Sequence, residues 1–331
     1  MTTNPLGDLV ASLGHAVVVT GTDTDVGKTY ATAALVVSGW NAGRRRIAVY
    51  KPQQTGMRGG EPGDVDDVAL LARAAGVPSA ALTTTEGQRL TEPMAPPPAA
   101  AIDGVELLPL SAHVAKIVEL QESHDLVVVE GSGGVLVELD GQRHTVADLA
   151  VALQETSARS ASSTEPDGAA TLSPATAEAS GRRGSSATSE PVHAAERGGG
   201  KVSTVLVVRP DLGTLNHTLL SLEALLHRGV RVAGVVLGSW PTAPEQLLVS
   251  NRAYLENLTF IARYNRATEE VYAAAKRSDI NMSFDLDNEW ALGVMAARVT
   301  GVKSETENKT FRRIPLLGAV PRGWGTTTGG R

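Results

Sequence analysis

Gly21-Thr22-Asp23-Thr24-Asp25-Val26-Gly27-Lys28-Thr29 has the residue types needed to hold a polyphosphate. It follows the apolar run Ala16 to Thr20 and leads directly into a helical pattern at Lys28. In a strand, loop and helix of this kind, glycines let backbone amides face phosphate oxygens and the helix N-terminus adds its dipole. Lys28 would neutralise the β and γ phosphates, and the Thr29 hydroxyl would ligate magnesium. Five residues separate Gly21 from Gly27, one more than the common spacing, so the strict pattern is missed. A Gly-Lys-Thr triplet alone could be a glycine turn with a surface lysine; the strand before it and the helix after it argue otherwise. Two further residues end apolar runs. Lys51 closes Arg46 to Lys51, and Glu130 closes Leu126 to Glu130. A carboxylate at the end of a buried strand is costly unless a metal or hydrogen bonds compensate it. Asp64, Asp66 and Asp67 cluster where a helical pattern begins. Asp67 could join Thr29 and Glu130 on magnesium, which needs only a few protein oxygens; a solvated acidic helix N-terminus would equally explain all three aspartates.

The elements that must position these groups follow from hydrophobic patterning. Short apolar runs at His15 to Thr20, Arg46 to Lys51, Leu126 to Glu130, Thr204 to Val208 and Val230 to Leu237 suggest buried parallel strands. Helical patterns alternate with them at Lys28 to Gly39, Val65 to Ala75, Ser111 to Gln121 and Asn216 to Arg228. That alternation predicts an α/β fold with a doubly wound, mostly parallel sheet and ligands at the carboxyl ends of its strands. Two segments break the pattern. Residues 154–200 are rich in Ser, Ala, Thr, Gly, Glu and Pro, have no aromatic residue, and cannot bury enough surface to offset ordering entropy, so a disordered insertion is expected. Residues 260–313 carry apolar residues at helical spacing, at Val271 to Ala275 and Trp290 to Val299, and are expected to be a second, helical insertion. The expected domain is therefore one, assembled from residues 1–153 and 201–259, with a closing strand and a frayed Gly- and Thr-rich tail in 314–331.

A chain of 331 residues, 42% hydrophobic, can bury a full core. Net charge of -6 gives no general attraction to nucleic acid or anionic lipid, so neither is an expected partner. The absence of cysteine excludes disulfides, thiolate metal sites and a cysteine nucleophile, and suits a reducing compartment. Without a signal-like N-terminus or an apolar run of spanning length, a cytoplasmic location is expected.

The longer phosphate loop resembles that of the dethiobiotin synthetases, Gly-Thr-Asp-Thr-x-Val-Gly-Lys-Thr, and the rest of the chain is similar to the same family. Lys51-Pro52-Gln53-Gln54-Thr55-Gly56 resembles its Lys-Pro-x-x-Ser/Thr-Gly, and Glu92-Pro93-Met94-Ala95-Pro96 its Glu-Pro-x-x-Pro. Glu130-Gly131-Ser132-Gly133-Gly134 resembles Glu-Gly-Ala-Gly-Gly, Leu212-Gly213-Thr214-Leu215-Asn216-His217 resembles Leu-Gly-x-x-Asn-His, and Ile314 to Pro321 its closing strand. The resemblance covers Ala16 to about Leu258 without the Ser-rich insertion, then Ile314 to Gly323. It implies a P-loop NTPase fold and an ATP- and magnesium-dependent ligase that closes a cyclic urea on 7,8-diaminopelargonate with carbon dioxide, in biotin biosynthesis.

By the same resemblance, Lys51 and Lys28 are the catalytic cations. The nucleotide is met by Asp25, Val26, Gly27, Lys28, Thr29 and Tyr30, by Glu130, Gly131, Ser132 and Gly133, and by Gly238, Ser239, Pro321, Arg322 and Gly323 at the base. Magnesium falls to Thr29, Asp67 and Glu130. Thr24, Lys51, Thr55 and Gly133 hold the diamine end, while Gly213, Thr214, Leu215 and Asn216 bind the substrate carboxylate from a partner subunit, which implies a homodimer with a shared site. His217 is expected to pack. Family members place Asn where Gly238-Ser239-Trp240-Pro241 stands here; without a fixed amide the site cannot strongly reject another base.

Two rivals share the loop. Nucleotide switches of the Mrp and ParA kind usually carry a second lysine inside it, whereas Lys28 is the only lysine between Gly21 and Thr29. An amidoligase of the cobyrinic-acid type needs a glutaminase cysteine, which this chain lacks.

Overall fold

The computed structural model describes residues 13–162, 202–260, 282–283, 298–299, 312–313 and 316–321. Strands and helices alternate along it: β1 (Ala16–Gly21), α1 (Lys28–Asn41), β2 (Ile47–Gln54), α2 (Asp64–Ala74), β3 (Leu82–Arg89), α3 (Pro96–Asp103), α4 (Leu110–Ser123), β4 (Leu126–Glu130), α5 (Val146–Ser162), β5 (Val202–Val208), α6 (Thr214–His227), β6 (Val232–Trp240) and α7 (Gln246–Glu256). Short strands follow: β7 (Thr259–Phe260), β8 (Met282–Ser283), β9 (Arg298–Val299), β10 (Arg312–Arg313) and β11 (Leu316–Pro321). Seven strands form one sheet in the order β11-β6-β5-β1-β4-β2-β3, and every neighbouring pair runs parallel. Among the described residues, no helix is long and apolar enough to cross a membrane.

The central strands are continuous apolar runs because both faces of the sheet are covered. On β1, Val17 and Val19 pack with α1 and α2 through Leu35, Val36, Val68 and Leu71. Ala16 and Val18 face the opposite layer, with Ile117 of α4, Leu149 of α5 and Leu222 of α6. This double cover leaves the carboxyl ends of β1, β2, β4 and β5 as the place where polar groups can meet a ligand.

Several elements escaped the hydrophobic pattern. β3, Leu-Thr-Thr-Thr-Glu-Gly-Gln-Arg, has no buried residue and so no apolar signal; it is an edge strand held by its ladder to β2. α3 opens on three prolines that resemble a loop, yet proline suits the first helical turn, where the amide has no partner anyway. α5 runs through Ser162, so the stretch expected to be disordered from residue 154 is helical for its first nine residues, 154–162. Its Gln154 explains part of this, bonding Arg231 N–H and Gly229 O at 2.7 and 3.1 Å. The remainder, 163–200, lies outside the described residues, as do most of 260–313 and the tail beyond Pro321. Within the segment expected to be helical, Met282–Ser283 and Arg298–Val299 are extended and pair antiparallel.

A buried polar cluster lies beneath the site. His113 of α4, fully buried, has Nδ1 2.6 Å from the Tyr50 hydroxyl and Nε2 3.2 Å from Gln53 Nε2. Burial depresses the His113 pKa below 6.5, against the weaker upward pull of Asp140 and the Leu108 backbone. A depressed folded-state pKa means that the unfolded chain takes up a proton before the folded one does. The stability from neutral His113 is therefore complete above pH 6.5 and is lost as pH falls through its folded value. The unfolding free energy from denaturant titrations should decline as pH falls below about 6.5, by up to about 1.4 kcal/mol per pH unit. In His113→Gln that slope should flatten; an equally steep profile in the variant would assign it to other groups.

Candidate active site

The loop after β1 carries its extra residue by folding tightly at two points. Asp25 is left-handed at φ 57°, and Gly27 at φ 93° caps α1. Thr22 N–H continues the sheet by donating to Val207 O at 3.0 Å. Lys28, buried, donates from Nζ to Asp23 O at 2.9 Å. Gly27 leans on β6, where Gly238 has no room for a side chain: a Cβ there would lie 1.8 Å from Val26 O. Ser239, next to it, is itself left-handed at φ 56°.

Lys51 on β2 and Glu130 on β4 meet beside this loop. Lys51 Nζ is 3.1 Å from Glu130 Oε1 and 2.5 Å from Asp64 Oδ2, and the Lys51 side chain is 3% exposed. The Thr29 hydroxyl donates to Glu130 Oε1 at 3.1 Å. Among the described residues, Glu130 Oε2 is buried and has no hydrogen-bond partner. Burial is the largest influence on Lys51 and disfavours its charge, yet Glu130 and Asp64 together outweigh it and hold its pKa above that of a free lysine. Lys28 goes the other way: burial, aided by the Lys51 charge, lowers its pKa despite Glu130, Asp64 and Asp25. For Asp64, burial pushes the pKa up, but Lys51 prevails and holds the carboxyl below its usual range. Asp67 is raised, by burial and by the neighbouring Asp64, Asp66 and Glu130. One side of the site thus carries two ammonium groups interleaved with carboxylates.

These groups lie in the lining of a cleft of about 760 Å³. Thr24, Asp25, Gly27, Lys28, Thr29, Tyr30, Lys51, Thr55, Asp67, Glu130, Ser132, Gly133 and Ser239 all line it. The apolar side chains of Leu70, Leu71, Pro93, Met94, Pro96 and Val137 line it as well. Val26 is buried behind the loop, and Gly131 spends its amide on Val19 O at 2.9 Å, so neither faces the cleft. Gly213, Thr214, Leu215 and Asn216 lie at the start of α6 and are absent from the cleft lining of this chain. His217 is exposed there rather than packed. Pro321 ends β11 beside Trp240, while Arg322 and Gly323 lie outside the described residues.

Asp64 and Gln54 are the functional candidates that sequence reasoning missed. Asp64 is the first residue of α2, and its amide donates to Gln54 Oε1 at 2.9 Å. The signal was present: Asp66 Oδ2 accepts Gly63 N–H at 2.9 Å, a capping spacing that fixes where the helix starts and hence which aspartate sits at its tip. Asp67 lies nearly one turn further on, lining the cleft but with no ion pair to Lys51.

A family model described as an AAA domain matches residues 15–156 and 199–323, a range that runs across 260–313. The chain is 38% identical over 271 residues to an ATP-dependent dethiobiotin synthetase of Mycobacterium avium, covering 82% of this chain and 95% of that one. It is 37% identical to the protein of that name from Rhodococcus jostii, over 69% of this chain and 74% of that one. The corresponding Saccharopolyspora erythraea protein is 39% identical over 69% of this chain and 75% of its own length.

Proposed function

The chain belongs to the ATP-dependent dethiobiotin synthetase family, ligases that form carbon–nitrogen bonds, and from that premise we propose how its residues divide the reaction. An amine of 7,8-diaminopelargonate attacks carbon dioxide and loses a proton, giving a carbamate. A carbamate oxygen attacks the γ-phosphorus of ATP and ADP leaves. The second amine then attacks the carbonyl carbon and loses a proton, phosphate departs with the C–O bond electrons, and a cyclic urea remains. Each step gathers negative charge, so positioned cations and amides carry the catalysis.

The observation that carries this reading is the pair of buried lysines, Lys28 at the amino end of α1 and Lys51 on β2, which line one cleft together with apolar side chains. Lys28 takes the β and γ phosphates. Lys51 takes the carbamate and the transferring phosphoryl group, leaving Asp64 as the anions arrive. The apolar lining residues Leu70, Pro93 and Met94 suit an alkyl chain. The buried, unpartnered Glu130 Oε2, with the Thr29 hydroxyl and the carboxylate of Asp64 or Asp67, fits a hard divalent cation. Magnesium, when bound, would neutralise charge on the β and γ phosphate oxygens.

Phosphate release from ATP should need both diaminopelargonate and bicarbonate, and should yield one cyclic urea per phosphate. Hydrolysis indifferent to the diamine would favour a nucleotide switch of the Mrp or ParA kind instead. Gly213 to Asn216 do not line this chain's own cleft, and the neighbouring Leu212 is 80% exposed; both support a site completed by a second subunit. Mixing inactive Lys51→Ala and Asn216→Ala chains should then restore about a quarter of the wild-type sites, because random twofold pairing makes half the dimers mixed, each with one intact site. Mixtures as inactive as their parents would speak against sharing.

A further inference from the structure

We propose that Arg209 and Asp23 form a positioning pair that holds the enlarged phosphate loop in its binding shape from outside the cleft. This rests on the reading that the loop binds ATP, and neither residue lines the cleft. β5 and β1 are in parallel register with Val207 opposite Gly21, and Thr22 N–H prolongs that ladder. Two residues beyond that pair on each strand's continuation, Arg209 comes level with Asp23. Their side chains meet, with Arg209 Nη2 2.8 Å from Asp23 Oδ2.

Asp23 is bound at three atoms, each with a different consequence. Oδ2 takes the guanidinium, Oδ1 accepts the Thr24 amide at 2.8 Å, and its backbone oxygen accepts Lys28 Nζ at 2.9 Å. The carboxylate thus fixes the backbone at the start of the loop, and that backbone orients the ammonium that meets phosphate. Among the described residues, Arg209 Nε is buried and has no acceptor, so the Asp23 carboxylate at Nη2 is the side-chain partner that orients this guanidinium. Exposed ion pairs contribute little to global stability, so the pair's effect should fall on the geometry of the loop.

The sign of one substitution decides the matter. Asp23 is an anion close to a site for polyphosphate, so if it did nothing else, Asp23→Asn would tighten ATP binding by removing repulsion. As a positioning residue it should do the reverse. Calorimetric titration of the full chain with ATP and magnesium, without diamine, should show Asp23→Asn and Arg209→Gln each weakening binding by about tenfold, with the double variant no weaker than either, as for two partners of one interaction. KM for ATP should rise while kcat at saturating ATP and the thermal midpoint of the free protein stay near wild type. Tighter ATP binding in Asp23→Asn, or effects that add in the double variant, would overturn the proposal. A wild-type chain that binds no ATP would instead defeat the reading on which it rests.

Discussion

Lys51→Ala is expected to lower kcat by roughly 10²–10³-fold while the chain still binds ATP, because one preorganised cation aimed at developing charge is removed. The argument rests on how Lys51 is kept. It is almost wholly buried, and it stays cationic there only because Glu130 and Asp64 outweigh desolvation. A lysine serving the core alone would be cheaper as an apolar residue. Removing it leaves two carboxylates facing each other, so the alanine variant also risks lower stability. Lys51→Gln keeps a donor for Glu130 or Asp64 without the charge and separates the two effects. The check is single-turnover phosphate release with diaminopelargonate and bicarbonate, beside an ATP titration. Wild-type turnover in the Gln variant would remove Lys51 from the chemistry.

Gly238→Ala should weaken ATP binding by about 100-fold, the scale at which displacements near 1 Å act on positioned groups. The added Cβ would stand 1.8 Å from Val26 O and 2.9 Å from Val26 C, so either the loop or β6 must move. The loop is the softer partner, since β6 is paired on both sides by β5 and β11. Ala at Gly43, where nothing lies within 4 Å, is a poor control because its φ is 92°; Gly60, open and without that strain, is a fair one. ATP affinity unchanged in Gly238→Ala, with the fold intact, would contradict the close approach.

Where side-chain periodicity and chemistry coincide, the sequence was legible. Val17 to Val19 and Leu126 to Val129 can only be strands buried on both faces, and Lys28, which follows β1, and Glu130, which ends β4, had to converge where parallel strands finish; Lys51, expected to close its strand, instead lies within β2, which continues to Gln54. Legibility failed where the stabilising partner is distant in sequence. β3 is polar and owes its extended form to β2. The tail of α5 reads as low complexity, and Gln154 meets Gly229 and Arg231 only in three dimensions. The choice between Asp64 and Asp67 turned on the helix start, a boundary that apolar spacing leaves loose by a residue or two. Gly238 appeared as the loss of an asparagine; the structure gives it a reason, since the phosphate loop fills the space a side chain would need.

The junction between Ser162 and Val202 has a consequence for engineering. Val202 pairs with Ala16 at the start of β1, so β5 begins at the amino edge of the sheet, the rim remote from Glu130 and the phosphate loop. Whatever the chain carries between these two points departs from and returns to that remote rim. An affinity tag or fluorescent reporter spliced between Ser162 and Val202 is therefore expected to attach on the rim opposite the phosphate loop.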